Sequence, residues 1–274
     1  GKRLYRRACN TMAMKLYKGD CLEIMRGIAD KSIDLIICDL PYGTTQCSWD
    51  EVIPFDLLWE QYRRIIKPGR AIVLFGSEPF SSRLRLSNID WYKYDWVWDK
   101  KKAANFLNAK KQPMKIHELI SVFSEGPTFY VPQKSKNHEK KVSFRRKEAQ
   151  TEVFGRTDSD NYYASSERYP VSIIEFSKDT QKSSLHPTQK PVDLIEYLIR
   201  TYTNKGDTVL DNCMGSGTTG IACMNTGRDF IGIEILDKHF ETAEKRIREH
   251  RIETAERKKQ FSFLKEEGEQ LCLK

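Results

Sequence analysis

The tetrapeptide Asp39-Leu40-Pro41-Tyr42 follows the apolar run 33–38, where a buried strand must end and the chain must turn. In an open α/β sheet the carboxyl ends of strands are where ligands bind. The residue types fit one chemistry. An exocyclic base amine is a weak nucleophile, because its lone pair is delocalised into the ring. Two acceptors, the Asp39 carboxylate and the Leu40 carbonyl, would hold its N–H bonds and favour a more tetrahedral nitrogen whose lone pair can attack. Such a displacement rests on positioning and electrostatics. Tyr42 offers a ring face to a base that has lost its stack, and Pro41 stiffens the turn. Taken alone, Asp-x-Pro-Tyr reads better as a turn that merely ends a strand.

A second constellation, Asp211-Asn212-Cys213-Met214-Gly215-Ser216-Gly217-Thr218-Thr219-Gly220, lies between a strand at 208–211 and the helix that follows. Its glycines let a ligand approach backbone N–H groups at a helix N-terminus, where those donors have no internal partner. Gly215, Gly217 and Gly220 also spell Gly-x-Gly-x-x-Gly, with Glu234 closing the next strand at the distance of a ribose-binding acid. A nicotinamide or flavin enzyme is therefore one reading, and an enzyme that binds S-adenosylmethionine is the other. Charge separates the two: a dinucleotide brings a pyrophosphate, whereas S-adenosylmethionine brings an ammonium and a sulfonium beside one carboxylate. An anion at Asp211 repels the first and suits the second. The plainer alternatives are a helix-capping carboxylate at Asp211 and a surface acid at Glu234. No Gly-x-x-x-x-Gly-Lys-Ser/Thr occurs, which disfavours a P-loop.

The elements that must carry these residues alternate. Short apolar runs at 33–38, 71–75, 95–98, 119–123, 208–211 and 230–234 predict strands, and amphipathic segments at 55–66, 192–202, 217–225 and 238–257 predict helices that stop at Gly or Pro. This is the pattern of a doubly wound α/β fold with a mainly parallel sheet. Between 124 and 184 the periodicity fails and the composition turns polar and basic, which predicts an inserted functional region rather than a long loop.

With 274 residues, 39% of them hydrophobic, the chain can bury one substantial core. It has no run of eighteen apolar residues, and residues 1–13 hold no apolar stretch of signal-peptide length. A cytoplasmic protein without a membrane segment is expected. Seven cysteines without a Cys-x-x-Cys pair read as reduced thiols, with no metal site. The net charge of +8 suits a polyanionic partner if it is concentrated. Lys134, Lys136, Lys140, Lys141, Arg145, Arg146 and Lys147 are interrupted by one acid, Glu139, and a second basic run, Lys100, Lys101, Lys102, Lys110, Lys111 and Lys115, lies upstream.

Both constellations together make the chain resemble the amino-group DNA methyltransferases, in the beta arrangement in which the catalytic tetrapeptide precedes the cofactor loop, over about residues 16–257. The family's Asp-Pro-Pro-Tyr stands here as Asp39 to Tyr42, with Leu40 for the first Pro. Its Asp-Pro-Phe-x-Gly-Ser-Gly-Thr-Thr stands as Asp211 to Thr219, with Asn212 and Cys213 for Pro and Phe. His186-Pro187-Thr188-Gln189-Lys190-Pro191, Gly19-Asp20-Cys21 and Phe230-Ile231-Gly232-Ile233-Glu234 resemble further family segments.

The resemblance implies a Rossmann-like methyltransferase fold. Its parts are a flexible extension at 1–13, a catalytic half at 14–123, a target-recognition insertion at 124–184, a cofactor-binding half at 185–260 and a tail at 261–274. It implies S-adenosylmethionine held by Asp20, Cys21, Lys190, Asp211, Gly215, Ser216, Gly217, Thr218 and Glu234. In this scheme Lys190 approaches the cofactor carboxylate, Asp20 its adenine amino group and Glu234 its ribose. The expected reaction is methylation of adenine N6 in a base flipped from duplex DNA, with cytosine N4 as the alternative; Asp rather than Ser at the head of the tetrapeptide leans toward adenine. The basic residues from Lys134 to Lys147 are expected to grip phosphates. Double-stranded DNA is the expected partner of a monomer or homodimer, with a cognate restriction endonuclease alongside. A nicotinamide-dependent oxidoreductase and a DNA-binding protein without catalysis are the remote alternatives.

Overall fold

The computed structural model describes residues 12–43, 51–104, 106–145, 161–177 and 189–271. In chain order the elements are β1 (Met14–Lys18), α1 (Cys21–Arg26), β2 (Ile33–Cys38), α2 (Phe55–Ile65), β3 (Ile66–Gly76), α3 (Phe80–Ser87), β4 (Tyr92–Ala104) and β5 (Lys115–Phe123). Then come β6 (Lys141–Arg145), β7 (Asn161–Ser165), β8 (Ile173–Glu175), α4 (Val192–Tyr202), β9 (Thr208–Asp211), α5 (Thr218–Thr226), β10 (Asp229–Glu234) and α6 (Asp237–Leu271). Eight strands form one sheet in the order β1-β10-β9-β2-β3-β5-β4-β8. Only β5 is antiparallel, to β3 on one side and β4 on the other.

Period-two alternation divides the core between the two faces of this sheet. Leu35, Ile37, Ala71, Val73, Phe75 and Val209 pack with Leu194, Leu198 and Tyr202 of α4 and with Ile221 and Ala222 of α5. Ile36, Cys38, Ile72, Leu74 and Leu210 pack with Met25 of α1, with Leu58 and Tyr62 of α2, and with Phe80 and Leu84 of α3. Helices therefore cover both faces of β2, whose six residues are all buried. That explains why β2 is apolar but for Asp34, whose buried carboxylate pairs with Lys67 and Arg70.

The strand order reverses between β2 and β9. From β2 the chain winds through α2 to β3, whereas β9 winds through α5 to β10 on the other side. The two strands pair in parallel, Leu35 with Val209 and Ile36 with Leu210, so their carboxyl ends open on the same edge, side by side. This is the switch point at which doubly wound sheets bind ligands.

The sequence places the central strands where the structure has them and misses short elements whose partners are distant. Residues 14–18 alternate too briefly to declare themselves, yet they form β1 along β10. The 55–66 helix ends at Ile65, because Ile66 already pairs with Ile33 of β2. Helices α1 and α3 were not expected, β4 runs far beyond 95–98, and α6 continues to Leu271 through the expected tail.

The region 124–184 divides: residues 131–172 form a separate compact unit, whereas β8 returns to the main sheet beside Val97 to Asp99 of β4. Within that unit β6 and β7 pair antiparallel, and the Arg168 guanidinium ties the chain together by donating to the Ser165, Glu167 and Glu139 carbonyls. Among the described residues no helix is long and apolar enough to cross a membrane.

Leu35 is fully buried on the central strand. Leu35→Ala is expected to lower stability by about 2–5 kcal/mol. In urea unfolding the midpoint should fall with an unchanged slope.

Candidate active site

Both turns expected to do chemistry open into one cavity of about 740 Å³. Its wall takes Asp39, Leu40, Pro41 and Tyr42 from the end of β2, and Asp211 to Ser216, Thr218 and Thr219 from the end of β9. Asp20 comes from the turn after β1 and Cys21 from the start of α1, Glu234 from β10, and Gln189 and Lys190 from the segment leading into α4. The volume lies within the range of small-molecule sites.

At one end of the cavity Asp39 is held from two sides. Tyr42 Oη donates to Asp39 Oδ1 at 2.5 Å, and Lys190 Nζ donates to Oδ2 at 2.6 Å. Burial and the neighbouring Asp39 charge push the Tyr42 phenol well above its ordinary value, so it remains a donor. The Tyr42 ring stacks on Phe80 of α3, with centroids 4.9 Å apart and planes 28° from parallel. The ring expected to face a displaced base is thus backed by a second ring. Leu40 is 4% exposed, with its side chain packed in the core.

Lys190 lines the cavity and reaches the Asp39 end of it. Its ammonium sits 3.1 Å from Glu118 as well as against Asp39, above the ring of Phe75 at 5.0 Å. A buried ammonium requires counter-charges and hydrogen-bond acceptors, and two carboxylates at the Asp39 end meet that need. Burial works against the Lys190 charge, yet Asp39 and Glu118 hold its pKa above the usual lysine value. Burial likewise opposes the Glu118 charge, but the ammoniums of Lys190 and Lys100 outweigh it and bring Glu118 down to about 2. Glu118 escapes sequence reading because nothing in Lys115-Ile116-His117-Glu118 distinguishes it from any acid on a strand. Only the fold pairs it with Lys190.

At the other end, Thr219 Oγ1 donates to Asp211 Oδ2 at 2.6 Å and the Cys213 N–H donates to Oδ1 at 3.2 Å. Burial raises the Asp211 carboxyl to about 7, against those hydrogen bonds. An unfolded aspartic acid ionises near ~3.9, so the folded chain keeps a proton that the unfolded chain loses. The stability linked to Asp211 is present below about pH 4 and is lost as pH rises toward 7.

Glu234 is 6% exposed and accepts the Gly215 N–H at Oε2 and the Leu236 N–H at Oε1, each at 2.9 Å. Gly215 and Gly217 have φ of +51° and +78°, values that favour glycine. A Cβ on Gly217 would also lie 3.0 Å from Ala243 of α6. Ser216 is fixed by Arg246, which donates to its carbonyl and its hydroxyl. Asp20 caps α1, its Oδ1 accepting from the Leu22 and Glu23 amides.

Asn212 and Cys213, which depart from the family pattern, have structural roles here. Tyr62 of α2 donates to Asn212 Oδ1 at 2.5 Å, and Asn212 Nδ2 lies 3.6 Å from the sulfurs of Cys21 and Cys213. Burial pushes the neighbouring Cys38 thiol up to about 12, so it stays neutral. Uncharged thiols thus line the wall where the family has an aromatic ring.

In the separate unit, Lys136, Lys140 and Lys141 are exposed, whereas Lys134 pairs with Glu167 at 3.4 Å and lies over Tyr169. Arg145 ends β6; Arg146 and Lys147, like His186 to Thr188, lie outside the described residues.

A doubly wound sheet that gathers a stacked acidic tetrapeptide and a glycine turn at its switch point defines an α/β enzyme with a nucleotide-type cofactor crevice. The DNA methylase family profile for N6 and N4 amino-methylating enzymes matches residues 33–245, and the chain belongs to that family. It is 30% identical to the type II methyltransferase M.HinfI of Haemophilus influenzae, over 88% of this chain and 70% of that one. It is 29% identical to the type II methyltransferase M1.MboII of Moraxella bovis, over 84% and 94%.

The crystal structure of the M1.HpyAVI-SAM complex superposes with a TM-score of 0.57 at 26% identity, covering 85% of this chain and 98% of that one. The cytosine-N4-specific PvuII DNA methyltransferase shares the fold with a TM-score of 0.60 at 17% identity, covering 85% and 86%. The Rossmann-like fold expected from sequence is the observed one. The glycine turn belongs to a methyltransferase, and the oxidoreductase reading falls.

Two measurements test this electrostatic arrangement. Affinity for S-adenosylmethionine, followed by calorimetry, is expected to rise from pH 6 to 7.5 as Asp211 ionises, and to be flat over that range in Asp211→Asn. Glu118→Gln should lower kcat roughly ten- to a hundredfold, the order expected when a reacting group loses its placement, with cofactor affinity unchanged.

Proposed function

We propose that this protein transfers a methyl group from S-adenosylmethionine to the N6 amine of an adenine flipped out of duplex DNA. The observation that carries the reading is the shared cavity, with the doubly held Asp39 at one end and buried Asp211 at the other. The cavity suits the cofactor. Thr218 Oγ1 and Gln189 Oε1 line it and are buried without hydrogen-bond partners among the described residues, as a polar ligand would require. Asp211 meets an ammonium or sulfonium with opposite charge, and Glu234, fixed by two amides, suits the ribose hydroxyls. Asp20 and Cys21 form the wall beside the purine, while Gly215, Ser216 and Gly217 bring backbone close to the methionyl part.

The bound cofactor supplies an electrophilic methyl on a sulfonium. The protein's own residues prepare the nucleophile. Asp39 and the Leu40 carbonyl accept the amine's N–H bonds, which directs the nitrogen lone pair away from the ring. Tyr42, backed by Phe80, covers one face of the base, and Lys190 with Glu118 fixes the Asp39 carboxylate against rotation. The preference for adenine over cytosine N4 rests on Asp39 at the head of the tetrapeptide, since the two amines present the same geometry.

The exposed lysines of residues 131–172 act on phosphates, in a unit that carries target recognition. The type II names of the relatives support a modification role beside an endonuclease of the same specificity, exercised by a monomer or homodimer.

Asp39→Ala should bind cofactor as tightly as the parent and lose at least about a hundredfold in turnover, the scale of removing one preorganised group. Near-parental methylation by that variant would overturn the assignment. Modification-sensitive sequencing of DNA from expressing cells should report N6-methyladenine at one recurring site; N4-methylcytosine would transfer the chemistry to the other amine.

A further inference from the structure

The strand pair that brings Trp98 and Glu118 to the cavity wall does not stop at the sheet edge. β3 ends at Gly76, which stands beside Leu119. Beyond that row the β4–β5 ladder continues through Trp98 with Glu118, Asp99 with His117 and Ala104 with Lys115. On the β5 side this stretch takes in only Lys115 to Glu118, a reach of about 10 Å, and β4 carries extra residues where the register shifts between Asp99 and Ala104. A single helical turn, Phe106–Asn108, lies at the far end. The result is an arm rooted in the active-site wall.

Its composition is unusual for a surface loop. Phe106 is 74% exposed and Leu107 82% exposed, at adjacent positions of the turn. Between Asp99 and Glu118 there are six lysines and no acid. Three of the lysines are engaged near the root: Lys100 with Glu118, Lys101 with Glu175, and Lys115 with Ser77. Lys102, Lys110 and Lys111, flanking the apolar turn, are exposed. An apolar tip bordered by cations alone does not match an ordinary protein surface, on which both signs are mixed. It matches a polyanion with an apolar interior, which is what a base-paired duplex presents once its stack is opened.

We infer that residues 99–117 form a wedge for duplex DNA. In this arrangement Phe106 and Leu107 enter the stack at the target pair and occupy the space left when the base swings into the Tyr42 pocket, while Lys102, Lys110 and Lys111 hold the flanking phosphates. The inference rests on the proposed methylation of a flipped base and adds the element that opens the helix. Extruding a base from an intact pair costs a few kcal/mol of pairing and stacking, and less from a mismatch. A wedge is therefore needed for a paired target and dispensable for an unpaired one.

The test uses the full chain and a short duplex carrying the site mapped by sequencing, in two forms: fully paired, and with an abasic position opposite the target base. Phe106→Ala with Leu107→Ala is expected to reduce methylation of the paired duplex at least about tenfold, the order set by unstacking one step. The same variant should approach parental rates on the abasic duplex and bind S-adenosylmethionine as the parent does. Phe106→Leu in the parent should retain activity on both.

Changing Lys102, Lys110 and Lys111 together to Ala should flatten the dependence of log affinity on log salt by about two to three, since each phosphate contact contributes about 0.9. Equal loss on both duplexes, or no loss on either, overturns the wedge while leaving the methylation reading intact. If the unaltered protein methylates no DNA, the methylation reading fails and the wedge with it.

Discussion

Strands β2 and β9, separated by some 170 residues of sequence, lie parallel and adjacent, and both leave the sheet on the same edge. Each ends in a turn that carries an aspartate. Because the strand order reverses between them, no helix crosses over the edge at that point, and the space above it stays open as a crevice. Everything the site can do follows from that pairing. In the proposed reaction a nucleophile at Asp39 and a cationic donor at Asp211 can meet because the backbone ladder sets the distance between their turns.

Placing several charges in one enclosed space is costly unless they compensate one another. The Asp39 end resolves this with a chain of alternating sign: Lys100, Glu118, Lys190 and Asp39. Among the described residues Asp211 has no cationic partner, and burial raises its carboxyl to about 7. The asymmetry has a functional sense. A group already matched by a cation has little to gain from a cationic ligand, whereas a buried carboxyl without one gains a great deal. In the proposed reaction the compensated anion holds an amine and the uncompensated anion attracts a positive charge.

The two faces of the sheet contribute unequally to this chemistry. α2 and α3 send Tyr62 to Asn212 and Phe80 to Tyr42, so the helices on that face brace both turns. On the other face Lys190 stands one residue before Pro191, the N-terminal cap of α4, and its ammonium is held by Asp39 and Glu118. The arm of β4 and β5 grows from the same wall, so the element proposed to open DNA and Glu118, which holds Lys190, share one strand pair.

Much of this was legible in the residues. Buried strands β2 and β9 announce themselves as apolar runs because both faces of the sheet are covered. Glycines at 215 and 217 mark a turn whose φ values few other residues tolerate, and the order of the two acidic turns identifies the family.

Other features needed three dimensions. β1 and β8 are too short for their own periodicity to define them and exist by pairing with β10 and β4. Lys190 lies 151 residues from Asp39 in sequence, and its partner is settled by the packing that buries both. Glu118 has no local signature at all. Local pattern determines which segments are strands, helices and turns, since side-chain periodicity and backbone freedom are local properties. The pairing of charges inside the crevice is decided by tertiary structure alone, because burial is what makes a counter-charge necessary.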